Sequence, residues 1–122
     1  MTTITLLIPN TQWLSSNQRL HWAPKAKRTA WIRELAWSEG RCFRPYAKPV
    51  RIVAHVGYAA NGKADPANAY PTVKAAIDGL VAAGLLVEDS HEWVIGPDMR
   101  RDSVKAPKGH HTVRLEMQEV SD

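Results

Sequence analysis

Residues 50–84, VRIVAHVGYAANGKADPANAYPTVKAAIDGLVAAG, change from one hydrophobic period to another within a single stretch. In 50–58 apolar side chains fall on every second residue, which is typical of a strand with one buried face. The segment NGK at 61–63 is a turn signal. Apolar side chains then recur at helical spacing over about 13 residues, with Pro71 near the start and Gly84 at the C-terminal end. We therefore predict a strand, a turn and a helix, whose apolar positions are Val50, Ile52, Ala54, Val56 and Tyr58, then Val73, Ile77, Leu80 and Val81.

The sequence on either side of this stretch completes the predicted fold. Its other predicted elements are a buried strand at 3–8 ended by Pro9, an amphipathic helix at 25–38 entered through Pro24, a short extended piece at 85–87, a bent strand beginning at 93, and an alternating strand at 111–120. Together they predict an α+β fold: a small mixed β-sheet with two main helices packed on it. The chain lacks repeats and long linkers, so we expect one domain over 1–122.

Composition limits the class of protein. The chain has 122 residues, of which 44% are hydrophobic and 23% charged, as is usual for a globular domain. No apolar run approaches the roughly 18 residues that span a bilayer, so no membrane partner is expected. The N-terminus lacks the basic residues of a signal peptide, and the single cysteine, Cys42, cannot form an internal disulfide. We therefore expect a cytoplasmic protein.

Charge is distributed unevenly along the chain. Residues 1–52 carry nine Lys and Arg against two acids, whereas 53–98 carry two basic residues against six acids. A basic surface is typical of proteins that bind nucleic acid, and clustered carboxylates can hold a divalent cation. The pattern is equally compatible with charges that only face water.

Asp65 and Asp89 lie on either side of the predicted helix and allow two interpretations. Local spacing favours Asp65 as a cap before Pro66, Asp89 as a turn residue, and Lys74 as an ion-pair partner of Asp78. Alternatively, an extended segment 85–89 pairs beside the 50–59 strand and brings Asp89 toward Asp65. The carboxylates would then hold Mg²⁺ while Lys74 stabilises a leaving group.

Three further segments bear on this choice: SNQRLHWAPKAKRTAWIRELAW at 16–37, ADPAN at 64–68 and KAAIDGLVAAGLLVEDS at 74–90. Over roughly residues 5–118, the chain resembles the RusA family of Holliday junction resolvases, carried by phages, prophages and bacteria. The resemblance implies a RusA-like nuclease domain that resolves four-way DNA junctions by Mg²⁺-dependent paired nicking, acting in recombination or repair. It also implies a homodimer. If the protein is phage-encoded, its implied location is the host cytoplasm.

The family motif is Asp-x-Asp-Asn, followed by a lysine on the next helix and an aspartate after that helix. By resemblance, the catalytic residues are Asp65, Lys74 and Asp89, with Asp65 and Asp89 as metal ligands, and Asn68 matches the asparagine. Ala67 replaces the second aspartate, and the spacing from Asn68 to Lys74 is about three residues longer than in the best-known members. Three alternatives follow: a neighbour supplies the missing ligand, the site holds one ion, or activity is reduced. The candidate neighbours are Glu88 and Asp78, and Asp78 also matches a structural acid of the helix motif.

Two clusters of basic residues are candidates for contacting the DNA backbone. The first cluster is Arg19, His21, Lys25, Lys27 and Arg28, and the second contains Arg100 and Arg101. Asn68 is a further candidate for binding DNA. Cations in the first turn of a helix oppose its macrodipole, and a bound phosphate would relieve that conflict. Trp13 and Trp22 either stack on unpaired bases or pack the polar loop onto the sheet. A binder without catalysis and a module without a nucleic-acid role remain as alternatives.

Overall fold

The structure is a computed structural model and describes residues 1–120. Its elements are the strands β1 (Thr2–Pro9), β2 (Val50–Tyr58), β3 (Val94–Arg101) and β4 (His110–Glu119), the helices α1 (Trp22–Gly40) and α2 (Tyr70–Ala82), and two short 3₁₀ turns at Asn10–Gln12 and Pro66–Ala69. The four strands form one mixed sheet and the two helices pack on it. The predicted α+β class is therefore confirmed.

The sheet has the strand order β1-β4-β2-β3. β4 runs antiparallel to both of its neighbours, whereas β3 runs parallel to β2. The predicted bend in the strand that begins near 93 corresponds to a register shift between β2 and β3 at Arg51 and Val53. The two central strands, β4 and β2, therefore pair directly although they lie far apart in the sequence.

The prediction that residues 85–89 extend beside β2 is wrong, because β3 occupies that edge. The chain leaves α2 through Gly84, whose φ of 82° is readily accessible only to glycine. The N–H of Leu85 then donates to the Leu80 carbonyl at 3.1 Å, and its own carbonyl accepts from Tyr46 N–H at 2.9 Å. The backbone groups of Leu85 are thus hydrogen-bonded through the helix cap and the Tyr46 loop, and Leu85 and Leu86 are buried, without any strand pairing.

Helix α1 is longer than predicted. It begins at Trp22, two residues before Pro24, and ends at Gly40. The expectation that Pro24 is the first helical residue is therefore wrong. Proline is tolerated at this third position because N–H groups of the first helical turn have no intrahelical partner.

One hydrophobic cluster joins the buried side chains of all four strands and both helices. The alternation predicted for 50–58 and 111–120 is confirmed by the buried residues Val50, Ile52, Ala54, Val56, Val113, Leu115 and Met117, although Tyr58 is only partly buried. Strand β1 was predicted to be buried, but only alternate residues, Ile4, Leu6 and Ile8, face the core. Helix α2 contributes Val73, Ile77 and Leu80, which are also buried. No helix among residues 1–120 combines the length and apolarity needed to cross a membrane.

A charged network lies on the sheet face opposite this core. The Asp102 carboxylate accepts hydrogen bonds from Arg114 Nε at 3.1 Å and Nη2 at 3.3 Å, and from Val104 N–H at 3.0 Å. Arg114 also pairs with Glu116 at 2.8 Å, and Glu116 contacts His55. Because the Asp102 side chain is only 5% exposed, these contacts are partly shielded from water.

We predict that Asp102 makes stability fall in acid. Burial acts to raise the pKa of Asp102, but the hydrogen bonds from Arg114 and Val104 outweigh it and lower the pKa. A carboxyl whose pKa is lowered in the folded state contributes its full stabilisation of the fold at pH values above its unfolded pKa of about 3.9. This contribution is lost as the pH falls through the folded pKa. Asp102→Asn should lower the free energy of unfolding at pH 7 by about 1–2 kcal/mol.

Urea unfolding between pH 7 and pH 2 tests this prediction. The curves of the wild type and Asp102→Asn should converge below about pH 4. The exposed Asp98, which pairs with Arg100 at 2.7 Å, provides the control, because Asp98→Asn should have little effect on stability. A constant difference between the Asp102→Asn and wild-type curves at every pH would contradict the assignment.

Candidate functional site

Lys74, on helix α2, forms ion pairs with two aspartates. Its ammonium donates to Asp78 Oδ1 at 2.7 Å, one helical turn away, and also to Asp89 Oδ2 in the segment after the helix. The ion pair between Lys74 and Asp78 that the spacing predicts is confirmed. All three side chains remain between one third and one half exposed. The fold thus brings one cation and two carboxylates to an accessible point.

The pKa values of this cluster reflect the short contacts. Hydrogen bonding from Lys74 is the largest cause that lowers the pKa of Asp89. Partial burial acts to lower the pKa of Lys74, but its bonds to Asp78 and Asp89 outweigh this and raise it. At neutral pH the cluster therefore contains charged Asp89 and Lys74.

Asp65 has a different local role. Its Oδ1 accepts a hydrogen bond from Ala67 N–H at 2.9 Å, and its backbone carbonyl accepts from Asn68 N–H at 3.0 Å. This confirms the predicted cap, with Pro66 in the first turn, although Asp65 caps the 3₁₀ turn Pro66–Ala69 rather than α2 itself. The side chain is exposed.

The structure brings together only some of the candidate metal ligands. Lys74, Asp78 and Asp89 form one cluster, and Glu88 is an exposed neighbour of Asp89 in the chain. Among residues 1–120, no hydrogen bond or ion pair joins Asp65 to that cluster. The contact of Asp78 with Asp89 through Lys74 was not predicted, since sequence spacing relates Asp78 only to Lys74.

The donor chemistry fits a magnesium ion that takes few protein ligands. Within the part of the chain that the structure describes, no group of three or more His, Cys, Asp or Glu side chains is arranged to hold a metal. Mg²⁺ in phosphate-processing enzymes commonly binds one or two carboxylates and completes its shell with water and substrate phosphate. Asp78 and Asp89 offer two such carboxylates, now paired with Lys74.

The loop before α1 is fastened to the start of α2. Thr72 Oγ1 is buried, donates to the Leu14 carbonyl at 2.7 Å and accepts from Leu14 N–H at 3.0 Å. Ser16 N–H donates to the Asn68 carbonyl at 2.8 Å. These bonds satisfy both backbone groups of a buried residue and fix the loop beside the helix that carries Lys74.

Of the basic residues at 19–28, Lys25 lies beside the start of α2. Lys25 and Pro71 line a shared cavity of about 90 Å³ between the two helices and the loop. Arg19, His21 and Lys27 are exposed. One guanidinium nitrogen of Arg28 is already used in a hydrogen bond within the protein: Nη1 donates to the Trp13 carbonyl at 2.9 Å.

The two loop tryptophans have opposite environments. Trp13 is buried and stacks on His111, with ring centroids 4.0 Å apart and an interplanar angle of 7°. Of the two alternatives for Trp13, packing is therefore the one observed. Trp22, the first residue of α1, is 83% exposed and remains accessible for stacking on a base.

The two arginines of the second basic pair, Arg100 and Arg101, have different partners. Arg100 forms an exposed ion pair with Asp98. Arg101 donates to the backbone carbonyls of Gly62 at 2.8 Å, Ala60 at 3.3 Å and Ala64 at 3.4 Å. Sequence reasoning missed these contacts, because neighbouring arginines carry no signal of which one binds a distant loop.

A scan against protein-family models finds no match to this chain, and no curated protein matches it either.

Proposed function

We propose that this protein is a Mg²⁺-dependent endonuclease that resolves four-way DNA junctions by paired nicking. The observation that carries the proposal is the position of the Lys74 ammonium between the carboxylates of Asp78 and Asp89. A lysine beside acids that can hold Mg²⁺ is an arrangement suited to phosphodiester hydrolysis. The resemblance of 64–68 and 74–90 to the RusA family agrees with this chemistry.

Each residue of the cluster has a proposed role. Asp89 and Asp78 would hold the ion, with Asp65 or Glu88 as a further ligand. When bound, Mg²⁺ would polarise the scissile phosphate and lower the pKa of a bound water. Released from its ion pairs, Lys74 would direct its positive charge at the oxygen that leaves.

The surface beside the cluster supports DNA as the substrate. Arg19, His21, Lys25 and Lys27 are exposed around the start of α1, and bonds from Ser16 and Thr72 hold that region against the segment leading to Lys74. Contacts with phosphates would supply affinity and make binding weaken steeply with salt. Junction shape, rather than base sequence, would supply specificity.

The proposed assembly is a homodimer. A four-way junction presents equivalent strands about a two-fold axis, and a two-fold dimer would place one site near each of two such strands. Sedimentation velocity, alone and with junction DNA, tests this part of the proposal. A monomer in both conditions would contradict it.

A second candidate is a junction-binding protein that does not cleave. Ala67 cannot ligate a metal, and residues 1–120 contain no group of three acidic, histidine or cysteine ligands. This candidate uses the same basic surface and differs only in the chemistry at Lys74.

Cleavage of labelled DNA separates these candidates. The substrates are an immobile four-way junction and a linear duplex with the sequence of one arm pair, each with Mg²⁺ or with EDTA. The proposal predicts paired nicks in the junction only, and only with Mg²⁺. Binding without nicking favours the second candidate, and failure to bind either DNA at low salt contradicts both.

A further inference from the structure

The guanidinium of Arg101 fastens one loop to the end of strand β3. Its three bonds to the carbonyls of Ala60, Gly62 and Ala64 span 37 to 41 residues of sequence. We call 60–64 the latched loop. Since it contains Asn61, Gly62 and Lys63 and its residues are exposed, it has no apolar core of its own to hold it. Arg101 provides long-range bonds at three of its five residues.

A stack of rings fixes the position of Arg101 itself. Its guanidinium carbon lies 4.8 Å from the centroid of the Tyr58 ring. Tyr58 packs edge-on against His111 at 5.4 Å, and His111 stacks on buried Trp13. Nδ1 of His111 is also 2.7 Å from Asn10 Oδ1. The guanidinium is therefore supported from the core, which limits the side-chain entropy lost when it binds the loop.

The latched loop leads directly into Asp65. Because Ala64 is bound to Arg101 and Asp65 caps the next turn, the backbone on both sides of the Asp65 side chain is fixed. Asp65 is also close enough to Tyr58 to act on the pKa of its hydroxyl, which burial raises, Arg101 counteracts and Asp65 raises further. The contacts of Arg101 thus hold the backbone that leads into Asp65, and Ala67 N–H holds its carboxylate.

We propose that Arg101 is a positioning residue that holds Asp65 in place to ligate the metal, rather than a residue that contacts DNA phosphate. This inference rests on the proposed function. Its neighbour Arg100 offers a matched comparison, because both are exposed arginines of β3 but Arg100 bonds only to Asp98 among the described residues.

The test compares Arg101→Gln with Arg100→Gln in the chain of 122 residues. Backbone NMR order parameters measure the mobility of the latched loop, and Mn²⁺ broadening of backbone NMR signals reports whether Asp65 and Asp89 both approach the ion. Neither reading requires nicking. DNA affinity in EDTA is measured over a range of salt concentrations, and the Mg²⁺ concentration for half-maximal nicking is measured with junction DNA. Arg101→Lys keeps the charge but not the planar fork, and serves if the glutamine variant does not fold.

Arg101→Gln should lower the backbone order parameters of residues 60–64 to the values of a flexible loop, below about 0.6, because the three contacts to their carbonyls are lost. Mn²⁺ should still broaden Asp89 but no longer Asp65, and half-maximal nicking should need several-fold more Mg²⁺. Affinity for DNA and its salt dependence should stay at wild-type values. Arg101→Lys should show the same changes to a smaller degree, and Arg100→Gln should leave both the order parameters of the loop and the broadening pattern unchanged.

Two results would overturn the inference. One is wild-type order parameters in residues 60–64 of Arg101→Gln together with a salt slope reduced by about one, as expected for a lost phosphate contact. The other is a wild-type protein in which Mn²⁺ broadens Asp89 but not Asp65. If the wild type does not nick but Arg101→Gln releases Asp65 from Mn²⁺, the proposed function fails while the positioning role stands.

Discussion

Asp89→Asn should reduce nicking of four-way junctions by at least about 100-fold, the usual scale for removing one group that stabilises a transition state. The change keeps the size of the side chain and removes its charge, so the ion loses a ligand and Lys74 loses one of its two partners. Junction affinity in EDTA should be unchanged or higher, because a negative charge near phosphate is removed. Single-turnover cleavage and a binding titration on the same DNA measure the two effects.

Asp98→Asn is the matched control for this prediction. Asp98 is likewise an exposed aspartate with a lowered pKa, but hydrogen bonding from Arg100 rather than Lys74 causes that shift. We expect it to retain nicking within a few-fold of wild type. Equal losses in both variants would point to a general effect of charge, and an unaffected Asp89→Asn would remove Asp89 from the proposed site.

Gly79→Ala should lower the free energy of unfolding by about 1–2 kcal/mol, the overpacking cost less the gain in helix propensity. A Cβ at this position in α2 would overlap the backbone carbonyl oxygen of Arg33 in α1 and lie 2.9 Å from Ala36 Cβ. A backbone atom cannot move aside as a flexible side chain can, and overpacking typically costs 1–3 kcal/mol, sometimes more. That cost should exceed the roughly 1 kcal/mol that alanine gains over glycine in helix propensity. Urea unfolding at pH 7 measures it.

Gly62→Ala is the control for adding the same methyl group. A Cβ there would meet no atom within 4 Å, and Gly62 does not have a positive φ. Its stability should stay within about 0.5 kcal/mol of wild type, as for most surface substitutions. A Gly79→Ala variant as stable as Gly62→Ala would mean that the two helices can separate without cost, contrary to the tight packing described.

Local patterns predicted much of the fold and part of the site. The alternation in 50–58 and the helical spacing after Pro71 were sufficient because both depend on neighbours within a few residues. The cap at Asp65 and the ion pair of Lys74 with Asp78 are of the same kind, since each spans at most four residues. The start of α1 was misplaced because its first turn, residues 22–25, is not buried in the core and so has no core-facing apolar spacing to mark it.

The sequence by itself determined that this is an α+β domain with a basic N-terminal half and an acidic centre, and it selected Asp65, Lys74 and Asp89 as candidates. Only the tertiary structure decided that β3, not residues 85–89, lies beside β2, that Asp78 and Asp89 share Lys74, and that Arg101 binds the latched loop. These contacts join residues 15 to 41 positions apart or depend on which strand occupies a sheet edge. Such partners are chosen by competition for burial and hydrogen bonds across the whole chain, which short-range periodicity does not encode.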